Sequence, residues 1–232
     1  MRRLESWTTT PARLLVALLV LFGVVLGCAV LAGELLELVE RPDGSTGFDS
    51  SITTWVTARR ADGLTTIAKL LSTVGSQTVL IPVTAIVAVL LFRRREFVTG
   101  AMLVALWGGA LGLYSLAKLF VHRQRPPSEI WLTKVAGTAF PSGHAVQSLA
   151  TFVALAVAGA VWVPRARGAV LALAVVLAAG VGCSRVYLGV HWTTDVLAGW
   201  LIGAAWIAIV LRLTRPAAAI GARLRTGAAP GT

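Results

Sequence analysis

The sequence predicts an all-α protein, a bundle of six membrane-crossing helices with an amphipathic helical segment on its outer side. Three observations predict it. Of 232 residues, 56% are hydrophobic and only 13% are charged, against roughly 25% charged in an ordinary soluble domain. Mean hydropathy is +0.80. Apolar runs without a charge recur along the chain, joined by short connections that favour a compact antiparallel bundle. This composition excludes a disordered chain, a nucleic-acid scaffold and a disulfide-rich module. It also leaves too few polar residues to coat a soluble enzyme.

The runs are Leu14–Gly33, Val74–Phe92, Phe97–Ala117, Ala145–Pro164, Gly168–Ser184 and Val196–Leu211. A span needs about 20 mostly apolar residues, which the first four supply alone. The fifth reaches full length by taking in Arg185, the sixth by taking in Asp195 or Arg212. Charges at span ends are expensive unless used, a first indication of a site. Within the first run, Val25-Leu26-Gly27-Cys28 resembles a lipoprotein cleavage box. The run is longer than the roughly 7–15 apolar residues of a signal peptide, so it is read as a retained span. Between the first two runs, Glu34–Thr73 carries a turn at Asp43-Gly44-Ser45. Ile52, Trp55, Val56, Leu64, Ile67, Leu70 and Leu71 then interleave with Arg59, Arg60 and Lys69. That pattern fits an amphipathic helical stretch on the outer surface, read as a connector, with a lid over a lipid site as the alternative.

Gly108/Gly112 and Gly199/Gly203 are spaced for close helix contact. Cys28 and Cys183 are expected as buried free thiols. One domain is expected over residues 1–215, with a disordered cytoplasmic tail over 216–232. The net charge is +11. One side of the membrane carries 12 of the 21 basic residues, among them Arg93–Arg95, Arg165 and Arg167, against Glu5 and Glu96. The charge is therefore topogenic, and no nucleic-acid partner is expected. Both termini should be cytoplasmic.

The polar residues concentrate in three clusters on the opposite side. Lys118, His122, Arg123, Arg125 and Pro126 follow the third run; Pro141-Ser142-Gly143-His144 opens the fourth; Ser184-Arg185, His191 and Asp195 join the fifth to the sixth. Lys118, Arg125 and Arg185 offer three cations to one place, which calls for an anion, and phosphate matches arginine forks. Gly143 lets an anion approach the backbone, and the start of the fourth helix adds its positive end. Asp195 lies one helical turn from His191 and can fix its tautomer, leaving the other nitrogen as nucleophile or base. His144 is then free to act as a general acid. A two-metal site would need more carboxylates than Asp195 and Glu129, so neither metal nor cofactor is expected.

These residues resemble the type 2 phosphatidic acid phosphatase family. Lys-x6-Arg-Pro appears as Lys118 to Arg125-Pro126, Pro-Ser-Gly-His as Pro141 to His144, and Ser-Arg-x5-His-x3-Asp as Ser184-Arg185, His191 and Asp195. The resemblance covers about Asp49 to Leu211. Thr193 and Thr194 stand where the family often has Pro-Ser, with no chemical consequence expected. The resemblance implies that His191 attacks phosphorus, Asp195 orients it and His144 protonates the departing oxygen. Lys118, Arg125, Arg185, Ser142 and Gly143 would hold the phosphoryl oxygens. It implies a lipid phosphatase whose partners are membrane lipid and a lipid phosphate or diphosphate; the charge count places its site outside a plasma membrane, and the Ala/Arg/Val-rich composition is of bacterial type. Isoprenoid diphosphate, phosphatidic acid and phosphatidylglycerol phosphate are candidates, the isoprenoid favoured by small size and short loops. A lipid phosphotransferase shares this site. A transporter would place its charges near the midplane instead.

Overall fold

The computed structural model describes residues 11–226. Its elements are eight α-helices: α1 (Pro11–Val39), α2 (Gly47–Thr57), α3 (Asp62–Val74), α4 (Gln77–Arg93), α5 (Phe97–Phe120), α6 (Gly143–Gly159), α7 (Arg167–Tyr187) and α8 (Thr193–Thr226). Single 3-10 turns sit at Ser128–Ile130 and Pro164–Ala166, and no strand occurs among the described residues.

Each of the six apolar runs is helical, but their lengths differ from expectation. Four helices are long and apolar enough to cross a membrane: α1, α5, α7 and α8. The fifth and sixth runs thus make long helices by absorbing their flanking charges. The second and fourth runs yield α4 and α6 of 17 residues each, about 25 Å at 1.5 Å per residue. Helix α4 begins only after Ser76, and it counts as a span only jointly with α3, from which it is bent by 44°. Helix α6 stops at Gly159, and a short turn leads from Ala160 into the 3-10 turn at Pro164–Ala166.

Helix α6 is the central element, packed against α5, α7 and α8. Eleven of its residues are buried, from Ala145 to Ala158, most of them small. Small side chains let neighbouring backbones approach closely. Gly199 and Gly203 of α8 make that approach: a Cβ on Gly199 would lie 2.8 Å from Ala145 Cβ and 2.9 Å from the Ser142 carbonyl oxygen. The other predicted glycine pair behaves differently. Gly108 meets nothing within 4 Å, whereas its neighbour Gly109 receives the Trp206 ring. Helix α1 is peripheral, and its apolar surface is largely exposed.

The amphipathic stretch between the first two runs forms α2 and α3. Both pack on α7, and α2 also reaches α8. An apolar groove of about 450 Å³ runs between the four, lined among others by Ile52, Trp55, Ile67, Cys183 and Trp200. Cys28 and Cys183 are exposed rather than buried. The outer surface of this bundle is itself apolar, so a small hydrophobe is as well placed there as inside. Helix α8 continues to Thr226, past the Arg215 boundary expected from the sequence. The alanine-rich stretch after Pro216 favours helix. Residues 227–232 of the expected tail lie outside the described part.

Candidate active site

Helix direction gathers the three polar clusters. The C-terminal ends of α5 and α7 and the N-terminal ends of α6 and α8 meet at one end of the bundle. The turns carrying Arg93–Arg95 and Arg165–Arg167 lie at the other end. Lys118, Arg125, Gly143, His144, Arg185 and His191 line one cavity of about 220 Å³. Asp195 stands behind His191, fully buried. Ser142 is also fully buried, and its backbone N–H donates to the Asp195 carbonyl at 3.1 Å, tying the start of α6 to the start of α8.

His191 is held from both sides. Its Nδ1 faces Asp195 Oδ2 at 3.5 Å, and Arg125 Nη1 lies 3.2 Å from its Nε2. A guanidinium can only donate, so Nε2 is the acceptor and the ring proton belongs on Nδ1, toward the carboxylate. Burial, followed by the nearby cations Arg125, Lys118 and Arg185, holds the His191 pKa well below its ordinary value. The imidazole is therefore neutral, with its Nε2 lone pair on the cavity side, where it accepts from Arg125.

The three cations are positioned by backbone carbonyls and one hydroxyl. Lys118 Nζ donates to Thr138 O at 2.6 Å. Arg125 donates from Nε to Gly137 O (2.8 Å), from Nη2 to Ala136 O (3.0 Å) and from Nη1 to Val190 O (2.5 Å). Arg185 Nη1 donates to Ser72 Oγ of α3, a residue that no sequence pattern singled out. Ser142 Oγ and Arg185 Nε have no partner among the described residues although both are buried. Buried polar atoms without partners are costly, and an anion in the cavity is the kind of ligand that would satisfy them. Gly143 serves a purpose besides backbone access: a Cβ there would lie 2.9 Å from the Tyr114 ring, which shares the cavity wall. His122, expected near the site, is exposed; its backbone N–H donates to Glu37 Oε1 at 2.9 Å.

Among the described residues, no group of three His, Cys, Asp or Glu side chains is gathered as for a metal ion. The carboxylates nearest the site face an arginine instead. Arg123 donates to Asp195 Oδ1 at 2.6 Å and to Asp49 Oδ2 at 2.8 Å. Thr194 Oγ1 accepts from the same guanidinium at 2.7 Å and donates to Asp49 Oδ2 at 2.8 Å. Thr194 of the Thr193-Thr194 pair is thus part of a cluster that the sequence did not reveal.

Residues 97–218 match the PAP2 superfamily. That match covers more than half of the chain. The chain belongs to the PAP2 superfamily. Two relatives carry the names of phosphatases. Undecaprenyl-diphosphatase of Sulfolobus acidocaldarius is 34% identical over 145 residues, 60% of this chain and 65% of that protein. Phosphatidylglycerophosphatase B of Bacillus subtilis is 31% identical over 132 residues, 56% of this chain and 64% of that one. The aligned part thus spans just under two thirds of each relative. A PAP2-type phosphatidylglycerolphosphate phosphatase structure from Bacillus subtilis superposes with a TM-score of 0.68 at 24% identity. It covers 89% of this chain and 96% of that one. This likeness establishes the PAP2 membrane fold, a multi-pass bundle.

Proposed function

We propose that this PAP2 protein hydrolyses a lipid phosphate monoester or diphosphate through a phosphohistidine, without a metal ion. The observation that carries the reading is His191, neutral and clamped between Asp195 and Arg125, with Nε2 facing a cavity lined by Lys118, Arg185 and His144. Nε2 attacks phosphorus, and the bond to the lipid oxygen or leaving phosphate breaks. The His191 imidazolium proton is stabilised by Asp195. His144 supplies a proton to the departing oxygen. Water, deprotonated by His144, then attacks the phosphohistidine, releasing phosphate and restoring both histidines. Lys118, Arg125, Arg185 and the α6 N-terminus at Ser142 and Gly143 stabilise the phosphoryl charge, the largest expected share of the rate.

The cavity volume supports a head-group site. About 220 Å³ is below the roughly 300–1,000 Å³ of pockets that engulf a drug-sized ligand. A phosphate or diphosphate fits, and the hydrocarbon chain stays outside in the bilayer. The names of the two relatives support isoprenoid diphosphate and phosphatidylglycerol phosphate as candidates, beside phosphatidic acid. The positive-inside bias of Arg93–Arg95, Arg165 and Arg167 supports a site facing outward with cytoplasmic termini. Six spans are proposed, with α4 and α6 as the short ones.

The test is a panel of these three lipids with purified protein in detergent, scored for inorganic phosphate with and without EDTA. Release from at least one lipid, undiminished by EDTA and inhibited by vanadate, is expected. Loss of all activity in EDTA with recovery on adding magnesium would overturn the mechanism.

A further inference from the structure

One buried cation takes no part in that mechanism. Arg123 has no side-chain exposure, and all three guanidinium nitrogens are occupied. Nε donates to Glu40 Oε2 and to Gly44 O, both at 3.2 Å. Nη2 donates to Asp49 Oδ2, and Nη1 to both Asp195 Oδ1 and Thr194 Oγ1. Asp49 in turn accepts from the Thr194 backbone N–H at 2.9 Å and closes the capping box of α2 with Thr46.

The division of labour on Asp195 is specific. Oδ2 accepts the Trp192 backbone N–H at 2.9 Å and faces His191 Nδ1, while Oδ1 belongs to Arg123. The arginine thus holds the oxygen that the histidine does not use, which fixes the rotation of the carboxylate. It also supplies the countercharge that a buried carboxylate needs to remain ionised. An ionised Asp195 is what stabilises the His191 imidazolium.

We propose that Arg123 is a positioning residue of the reaction, acting through Asp195, with Asp49 and Thr194 as the bracket that holds its fork in place. This rests on the phosphohistidine reading above. No contact between Arg123 and the cavity is involved, so its removal should slow chemistry without weakening phosphate binding.

A double-mutant cycle on the full-length protein in detergent tests this. Arg123→Met should lower kcat about 10²-fold, the usual scale for a catalytic group displaced by 1 Å. KM and inhibition by inorganic phosphate should stay within about twofold of the wild type, since both report ground-state binding rather than the displaced nucleophile. Arg123→Lys, which keeps a cation but loses the fork, should recover part of the loss. In the Asp195→Asn background, Arg123→Met should cost no more than about twofold further, because coupled residues are not additive. Losses that multiply in the double variant, or an Arg123→Met enzyme within twofold of the wild type, would overturn the proposal. If Arg123→Met does not yield folded protein, Arg123→Lys is carried through the same cycle with the same criteria. A His191→Ala enzyme that still turns over would instead sink the phosphohistidine reading, and no Arg123 variant is needed to see it.

Discussion

Gly199→Ala should damage catalysis although Gly199 touches no substrate. The new Cβ would lie 2.8 Å from Ala145 Cβ, 2.9 Å from Ser142 O and 3.4 Å from Val146 N. None of these is the far end of a flexible side chain. Carbon atoms pack at about 3.5–4.0 Å, so α6 and α8 must separate by roughly 0.7–1.2 Å at this point. Overpacking of this kind costs about 1–3 kcal/mol of stability. The catalytic cost is larger, because the contact sits between the two halves of the site. Ser142, Gly143 and His144 ride on α6, and Asp195 rides on α8, joined by the Ser142–Asp195 backbone hydrogen bond. A displacement near 1 Å costs on the order of 10²-fold in rate. Phosphate release, measured as kcat and KM, should show that loss mainly in kcat. Gly203→Ala meets Val146 O at 3.2 Å and should lose less. Gly108→Ala meets nothing and should be unchanged. A Gly199→Ala enzyme within twofold of wild type, or an equal loss in Gly108→Ala, would refute the argument.

The remaining expectations concern the site directly. Arg125→Lys and Arg185→Lys should both be severely impaired: one ammonium cannot reproduce the three carbonyl contacts and the His191 contact of Arg125, and near-normal kcat in both would demote them to end caps. His191→Ala should abolish turnover of every substrate, whereas His144→Ala should lose roughly 10²–10⁴-fold on an alkyl phosphate. The latter should lose much less on a nitrophenyl ester, whose leaving group departs without a proton; the opposite pattern would exchange the two roles. The His191 ring should remain neutral in NMR titration well below the ordinary histidine pKa of about 6.5, because burial and three cations depress it. The sign follows from linkage: below about 6.5 the unfolded chain gains a proton that folded His191 refuses, so thermal stability should fall as pH falls through that value. A His191 titration near 6.5 would contradict the buried, cation-flanked site.

Much of this architecture was legible because it depends on local pattern. Hydrophobic runs give helices, and residues a fixed distance apart at helix ends travel with those ends. The cavity at Lys118, Arg125, Gly143, His144, Arg185 and His191 could be assembled on that basis. What escaped depends on pairing across the chain. Asp49 has one local use, closing the Thr46 capping box at the start of α2. Its second use, holding Thr194 and Arg123, involves partners 145 and 74 residues away. Ser72 was likewise invisible as a partner of Arg185, 113 residues distant. Helix lengths escaped for a different reason: hydropathy alone did not foresee the breaks that set α4 and α6 at 17 residues. Of the Gly108/Gly112 pair, Gly112 takes the Phe22 ring of α1, 3.2 Å from where a Cβ would lie, whereas Gly108 meets nothing and Trp206 packs on Gly109.

The Asp49–Arg123 ion pair has a consequence for how the protein is made. Asp49 leaves the ribosome early and Thr194-Asp195 late, so for most of synthesis the carboxylate that completes the cluster does not exist. Two of the three carboxylates on Arg123, Glu40 and Asp49, precede it in the chain, and the third, Asp195, follows it. Helix α2, which carries Asp49, packs on α7 and α8, and Asp49 is itself bonded to Thr194 of α8. The cluster as it stands in the finished fold therefore closes only once α8 has been made, and the charge of a buried arginine is fully countered only by the arrival of that helix.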